Sequence, residues 1–144
     1  MSRIRARTSI LAAAAMLIGS ATLAKSQPYQ GLTIQSGESW IFRIDNGQPI
    51  DARKVDAQAE PSKGELKVTL DPSMGTTMSV TNNSDLWYNY HAFMTAKAGT
   101  EGKRTSVCTL MGSGRGAFEN WPQHVPAIRI ANFTAAGEGE MICQ

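Results

Sequence analysis

At 144 residues, with 42 % hydrophobic and 18 % charged side chains, the chain suits one domain with a single core. Its 14 Lys and Arg against 12 Asp and Glu look mildly basic. Arg3, Arg5 and Arg7 supply three of those bases and no acid, which leaves eleven bases against twelve acids. The remainder contains no run of basic residues, so nothing electrostatic points to nucleic acid or to an anionic membrane surface.

The first residues read as a secretory leader. A basic stretch, Met1 to Ser9, precedes the apolar run Ile10 to Gly19 and the small residues Ser20 to Ala24. Charged, apolar, then small is the signal-peptide pattern, with cleavage expected after Ala24. A membrane span needs roughly 20 apolar residues, and this run is about half that. No Cys lies near the cleavage point and no Arg-Arg pair precedes the run, so neither a lipid anchor nor the twin-arginine route is indicated. The expected division is residues 1–24 as a removed leader, 25–31 as a flexible lead-in and 32–144 as one domain, periplasmic or secreted. In an oxidising compartment Cys108 and Cys143 are expected to form a structural disulfide.

From residue 32 short alternating runs follow one another between turn clusters, and no window keeps a helical repeat. Asp45-Asn46-Gly47 marks a hairpin between Trp40 and Ala52. A three-residue loop with Gly47 left-handed would set Phe42 opposite Ile50 and Trp40 opposite Ala52, keeping apolar residues on one face, and is preferred to a two-residue loop. Residues 50–60 are compatible with a short helix. Leu66, Val68 and Leu70 point one way, as do Met78 and Val80, and Asn82 to Asp85 is a turn cluster. Leu86 to Lys97 is the aromatic-rich strand. Thr105 to Met111 carries Cys108, and Gly112 to Gly116 reads as a mobile loop with Arg115 at its tip. Pro122 and Pro126 keep the stretch between them out of a central strand. Strands are expected again over Ala127 to Phe133 and Glu140 to Gln144. Seven to nine short strands with one solvated face each predict an all-β, immunoglobulin-like antiparallel sandwich with one disulfide; an up-and-down barrel is the alternative.

The most informative run is Trp87 to Met94. As a strand it would place Tyr88, Tyr90, Ala92, Met94 and Ala96 toward the core. Trp87, Asn89, His91, Phe93 and Thr95 would form the other face, a mixture of aromatic and hydrogen-bonding groups suited to sugar rings or peptide side chains. Trp121, in a loop before two prolines, and Arg115 are further candidate contacts. His91, His124 and several Met suggest an exported copper carrier, but residues three apart on a strand, such as His91 and Met94, face opposite sides. No metal site or cofactor is therefore expected. No Gly-x-Ser-x-Gly, His-Glu-x-x-His or phosphate-loop motif is present, and no pair of acids stands out as catalytic. Asn82-Asn83-Ser84 and Asn132-Phe133-Thr134 match the glycan-acceptor pattern. The resulting expectation is a non-enzymatic binding or accessory module without a membrane anchor, its partner an unknown protein or carbohydrate. A copper carrier and a proteinaceous inhibitor of a cell-wall lytic enzyme are the alternatives.

Overall fold

The computed structural model describes residues 29–144. The leader, its cleavage point and the first part of the lead-in lie outside them. Nine strands follow one another: β1 (Leu32–Gln35), β2 (Ser39–Asp45), β3 (Gln48–Val55), β4 (Leu66–Asp71), β5 (Thr76–Asn82), β6 (Trp87–Thr95), β7 (Lys103–Thr105), β8 (Arg115–Trp121) and β9 (Ala127–Ala136). They form two antiparallel sheets, one ordered β1-β9-β6-β7 and the other β3-β2-β4-β5-β8. The molecule is therefore the expected antiparallel β-sandwich and not a closed barrel.

Period-two alternation explains the layering. Leu66, Val68 and Leu70 of β4 and Met78 and Val80 of β5 are buried between the sheets. Ile128 and Ile130 of β9 and Tyr90 and Ala92 of β6 meet them from the other side. Each of the Leu, Ile, Val and Met side chains contributes roughly 1.5–3 kcal/mol by leaving water. Phe133 joins the layers at one end. Its ring stacks on Tyr90 at 5.3 Å, meets Tyr88 edge-on at 6.1 Å and reaches Phe42 of the opposite sheet at 5.9 Å.

The segment Val107–Leu110 closes one side of the sandwich. Leu110 bridges to Tyr88 of β6, and the Cys108 amide donates to the Glu119 carboxylate on β8. Val107 and Leu110 are buried. The C-terminal tail pairs with this segment, and the Cys108–Cys143 disulfide locks the pairing. Closing a loop of 35 residues' separation stabilises by roughly 3–4 kcal/mol in the chain-entropy treatment.

Several expectations are corrected. The first hairpin has the two-residue loop Asn46-Gly47, with φ of 47° and 74°, and Asp45 faces Gln48. A bulge at Asp51 then shifts the register, so Trp40 faces Lys54 rather than Ala52. β3 is an edge strand, largely solvent-exposed, so no apolar match on it competes with the turn's preference for two left-handed residues. Residues 50–60 contain no helix: β3 runs to Val55 and turns follow. Thr105 to Met111 is not one strand, since β7 ends at Thr105 and only isolated bridges follow. Likewise the tail forms one bridge at Cys143, flanked by hydrogen bonds to Val107 and Thr109, rather than a full strand.

At 112–116 the loop is shorter than expected: Arg115 begins β8 rather than tipping the loop, and Trp121 ends that strand rather than sitting in a loop. Ala96 lies beyond the end of β6 and is exposed, while Thr95 is buried. Asn82, in the first acceptor pattern, is fully buried and its amide is bonded to Leu86 and Ser84, which leaves it nothing to offer a glycan.

Candidate aromatic and arginine face on the outer side of a sheet

β6 is the centre of the four-stranded sheet, paired to β9 on one edge and to β7 and Leu110 on the other. Its alternation is clean: Tyr88, Tyr90 and Ala92 are buried while Trp87, Asn89, His91 and Phe93 are half-buried on the outer face. The structure thus brings these four expected contact residues onto one surface. Asn89 is partly committed, because its Oδ1 accepts from the Thr109 hydroxyl at 2.6 Å, and Thr109 in turn holds Ile142 of the tail.

The neighbouring strand β9 contains a bulge that shapes this face. His91 faces Ala131 and Asn89 faces Thr134, so β9 carries one residue more than β6. The extra residue is Asn132, at φ 56°. Asn tolerates the left-handed region better than most residues. The bulge reverses the in–out parity, which turns Phe133 into the core and leaves Asn132 exposed outside. The Asn132 amide is oriented by its partners. Gln48 donates to its Oδ1 at 2.9 Å, and its Nδ2 lies 3.3 Å from Nδ1 of His91. With Nδ2 donating, the His91 proton sits on Nε2. Burial, and then the Arg104 charge, lower the His91 pKa below its ordinary value, which favours the neutral ring. An imidazole whose Nε2–H has no partner among the described residues, with the Phe93 ring edge-on at 6.3 Å, is a hydrogen-bond donor set in an apolar strip.

Beside His91 and Phe93 lies a cleft of about 510 Å³ lined in part by Tyr29, Phe93, Glu101, Arg104, Arg129 and Asn132. Arg129 is only 6 % exposed. Its guanidinium lies 4.2 Å from the centre of the Phe93 ring and 5.3 Å from that of Tyr29. It donates to the carbonyls of Gln30 and Glu101, both at 2.8 Å. Among the described residues Nε has no acceptor, and no carboxylate comes within ion-pair distance of the group. Burial lowers the Arg129 pKa, with Tyr29 and Glu101 acting against it. Arg104 stands exposed at the rim, also without an ion-pair partner among the described residues.

Arg129, Arg104 and Asn132 are the members of this face that sequence reasoning missed. The signal for Arg129 is a lone charge within the apolar run Ala127 to Ala131.

Trp121 and Arg115 do not belong to this surface. Both lie on β8 of the other sheet. The Trp121 ring packs against the core and its Nε1 donates to the Thr105 hydroxyl at 3.0 Å, so it plugs the space between sheet edges. Arg115 is exposed, with Nη1 3.5 Å from the Met111 sulfur. A second cleft, of about 370 Å³, runs past Trp40, Glu38 and Lys54. Burial works to raise the Glu38 pKa, but bonds from Lys54, the Trp40 indole and the Gln35 amide outweigh it, and the carboxylate is saturated by its own neighbours.

Among the described residues no three His, Cys, Asp or Glu side chains converge to hold a metal ion. His91 lies on the outer face and Met94 packs toward the core, so the strand separates the two as its period requires. Met78 is buried and Met74 is 84 % exposed in a turn. No helix among the described residues is long and apolar enough to cross a membrane.

No protein-family model matches this chain, and the comparisons with curated proteins and with solved structures likewise returned no match.

Proposed function

We propose that this chain is an exported, non-enzymatic binding module whose contact surface is the outer face of the β1-β9-β6-β7 sheet. The observation that carries the reading is the row Trp87, Asn89, His91 and Phe93, aligned on a central strand and left half-exposed beside the Arg129 cleft. A central strand holds such groups more rigidly than a loop, which lowers the ordering cost of binding. Export is supported by the pattern of the first 24 residues and by the disulfide, which suits an oxidising compartment.

The test is the double variant Trp87→Ala/His91→Ala, made in the full chain and recovered from its native compartment after crosslinking. Its side chains are outside the core, so the thermal midpoint is expected to move by only a few degrees while partner capture is lost. Retained capture, or capture that falls only in step with stability, would overturn the reading.

A further inference from the structure

The charge of this molecule is segregated by sheet. The four strands of the β1-β9-β6-β7 sheet contain no Asp or Glu; their charged residues are Lys103, Arg104 and Arg129. The other sheet carries both signs, with Asp45, Asp51, Asp71 and Glu119 among its strands. The near-neutral total therefore hides one face whose strands carry cations alone, with Glu101 of the β6–β7 connection as an acid lining its cleft. On that face Arg129 is more than nine-tenths buried, has no carboxylate within ion-pair distance and keeps an Nε without an acceptor among the described residues. A covered cation held by carbonyls and ring faces, with the cleft's own acid Glu101 outside ion-pair distance, is expensive to maintain, and a closer anion relieves that cost. Arg104 at the rim is the exposed cation through which such an anion is first met.

We infer that the cleft beside Phe93 receives the carboxylate of an acidic sugar, and that the Trp87–Phe93 row seats the saccharide attached to it. The inference rests on the binding-module reading of the same face and adds the ligand's chemical class. Arg104 pairs with the carboxylate, and Arg129 supplies the fixed positive field behind it. The half-exposed rings of Phe93 and Trp87 offer flat apolar surface to sugar rings. Between them His91 and Asn132 present hydrogen-bonding groups to hydroxyls. An acidic peptide is the less suitable occupant. Extended peptides are commonly held by main-chain pairing at an open sheet edge, whereas this surface lies across the middle of a sheet and presents side chains.

The experiment is a calorimetric titration of the full chain, recovered from its native compartment, with trigalacturonate, the neutral galactose trimer and poly-L-glutamate. Binding is expected for trigalacturonate, weakening as salt is raised, and at least tenfold weaker for the other two. Arg104→Gln is expected to lower the affinity for trigalacturonate about tenfold or more, the scale of one charge-assisted hydrogen bond. Trp87→Ala is expected to weaken it as well. Because Arg104 is exposed, its variant keeps the fold, which a matching thermal midpoint verifies. Equal affinity for the neutral trimer, or for poly-L-glutamate, would overturn the acidic-sugar assignment while leaving the face itself in place. Trigalacturonate binding that ignores both variants would overturn the assignment together with the face. No binding to any of the three probes also overturns the assignment; partner capture by the unmodified chain that Trp87→Ala/His91→Ala abolishes would then show that the face reading survives.

Discussion

Asn132 shows how one backbone conformation serves both the core and the surface. Its left-handed φ inserts the extra residue that sends Phe133 inward, where the ring ties Tyr90 to Phe42 across the sandwich. Its amide, held by Gln48, meets His91 on the outside. Asn132→Ala should lower stability by about 1–2 kcal/mol, since a Cβ without a compensating side-chain bond is disfavoured in this region. Asn132→Gly loses the same side-chain bonds but accepts the φ, so urea unfolding should show it clearly less destabilised than the Ala variant. Equal losses would show that the amide bonds, not the backbone, dominate. Gly47 reinforces the same point from the opposite hairpin. At φ 74° it brings its carbonyl to the Phe133 amide, and a Cβ there would lie 2.8 Å from the Phe133 carbonyl oxygen.

At the scale of elements, strands with one buried and one wet face were legible in the sequence. Those without that contrast were not. β4, β5 and β6 alternate as expected because the sheets bury every second residue. β8 escaped notice because its outward Phe118 is 74 % exposed and its inward positions hold Ala117, Glu119 and Trp121, which blurs the apolar repeat. The first part of β3 was legible as a hairpin arm, but from residue 50 onward the sequence suggested a helix, because an edge strand with little burial keeps no apolar stripe. Its Pro49, its bulge at Asp51 and its Arg53 and Lys54 also discourage further strand pairing at that edge. The candidate site was half legible. The β6 row follows from alternation alone, whereas Arg104, Arg129 and Asn132 reach it only through the pairing of β6 with β7 and β9.

β3 is tied to the start of β4 by the two-pronged Arg53–Glu65 pair, at 2.8 and 3.0 Å. That bond, ahead of the opposing effect of burial, lowers the Glu65 carboxyl below its ordinary range. A carboxyl whose folded pKa lies below its unfolded value of about 4.3 adds stability above that pH and loses it as pH falls through the folded value. Glu65→Gln should therefore flatten the acid limb of the stability curve below about pH 4.3 and leave its slope near pH 7 unchanged. Equilibrium unfolding at a series of pH values checks this; an unaltered acid limb would show that the pair is lost to solvent screening.

The whole molecule presents two unlike outer surfaces. The five-stranded sheet shows Thr69, Ser79, Thr77 and Asn120 with mixed charge around them, and the strands of the four-stranded sheet show aromatics and cations, with Glu101 at the cleft beside them. The disulfide staples the tail to the sandwich, and the second surface is the one the proposed binding role uses. Thr134 on that surface and Phe118 on the other are both exposed, and each accepts a photo-crosslinking side chain without touching the core. The decisive measurement is irradiation of each variant in the native compartment. A crosslinked adduct is expected from position 134 and none from position 118. An adduct from position 118 alone, or equal adducts from both, would contradict the proposed contact surface.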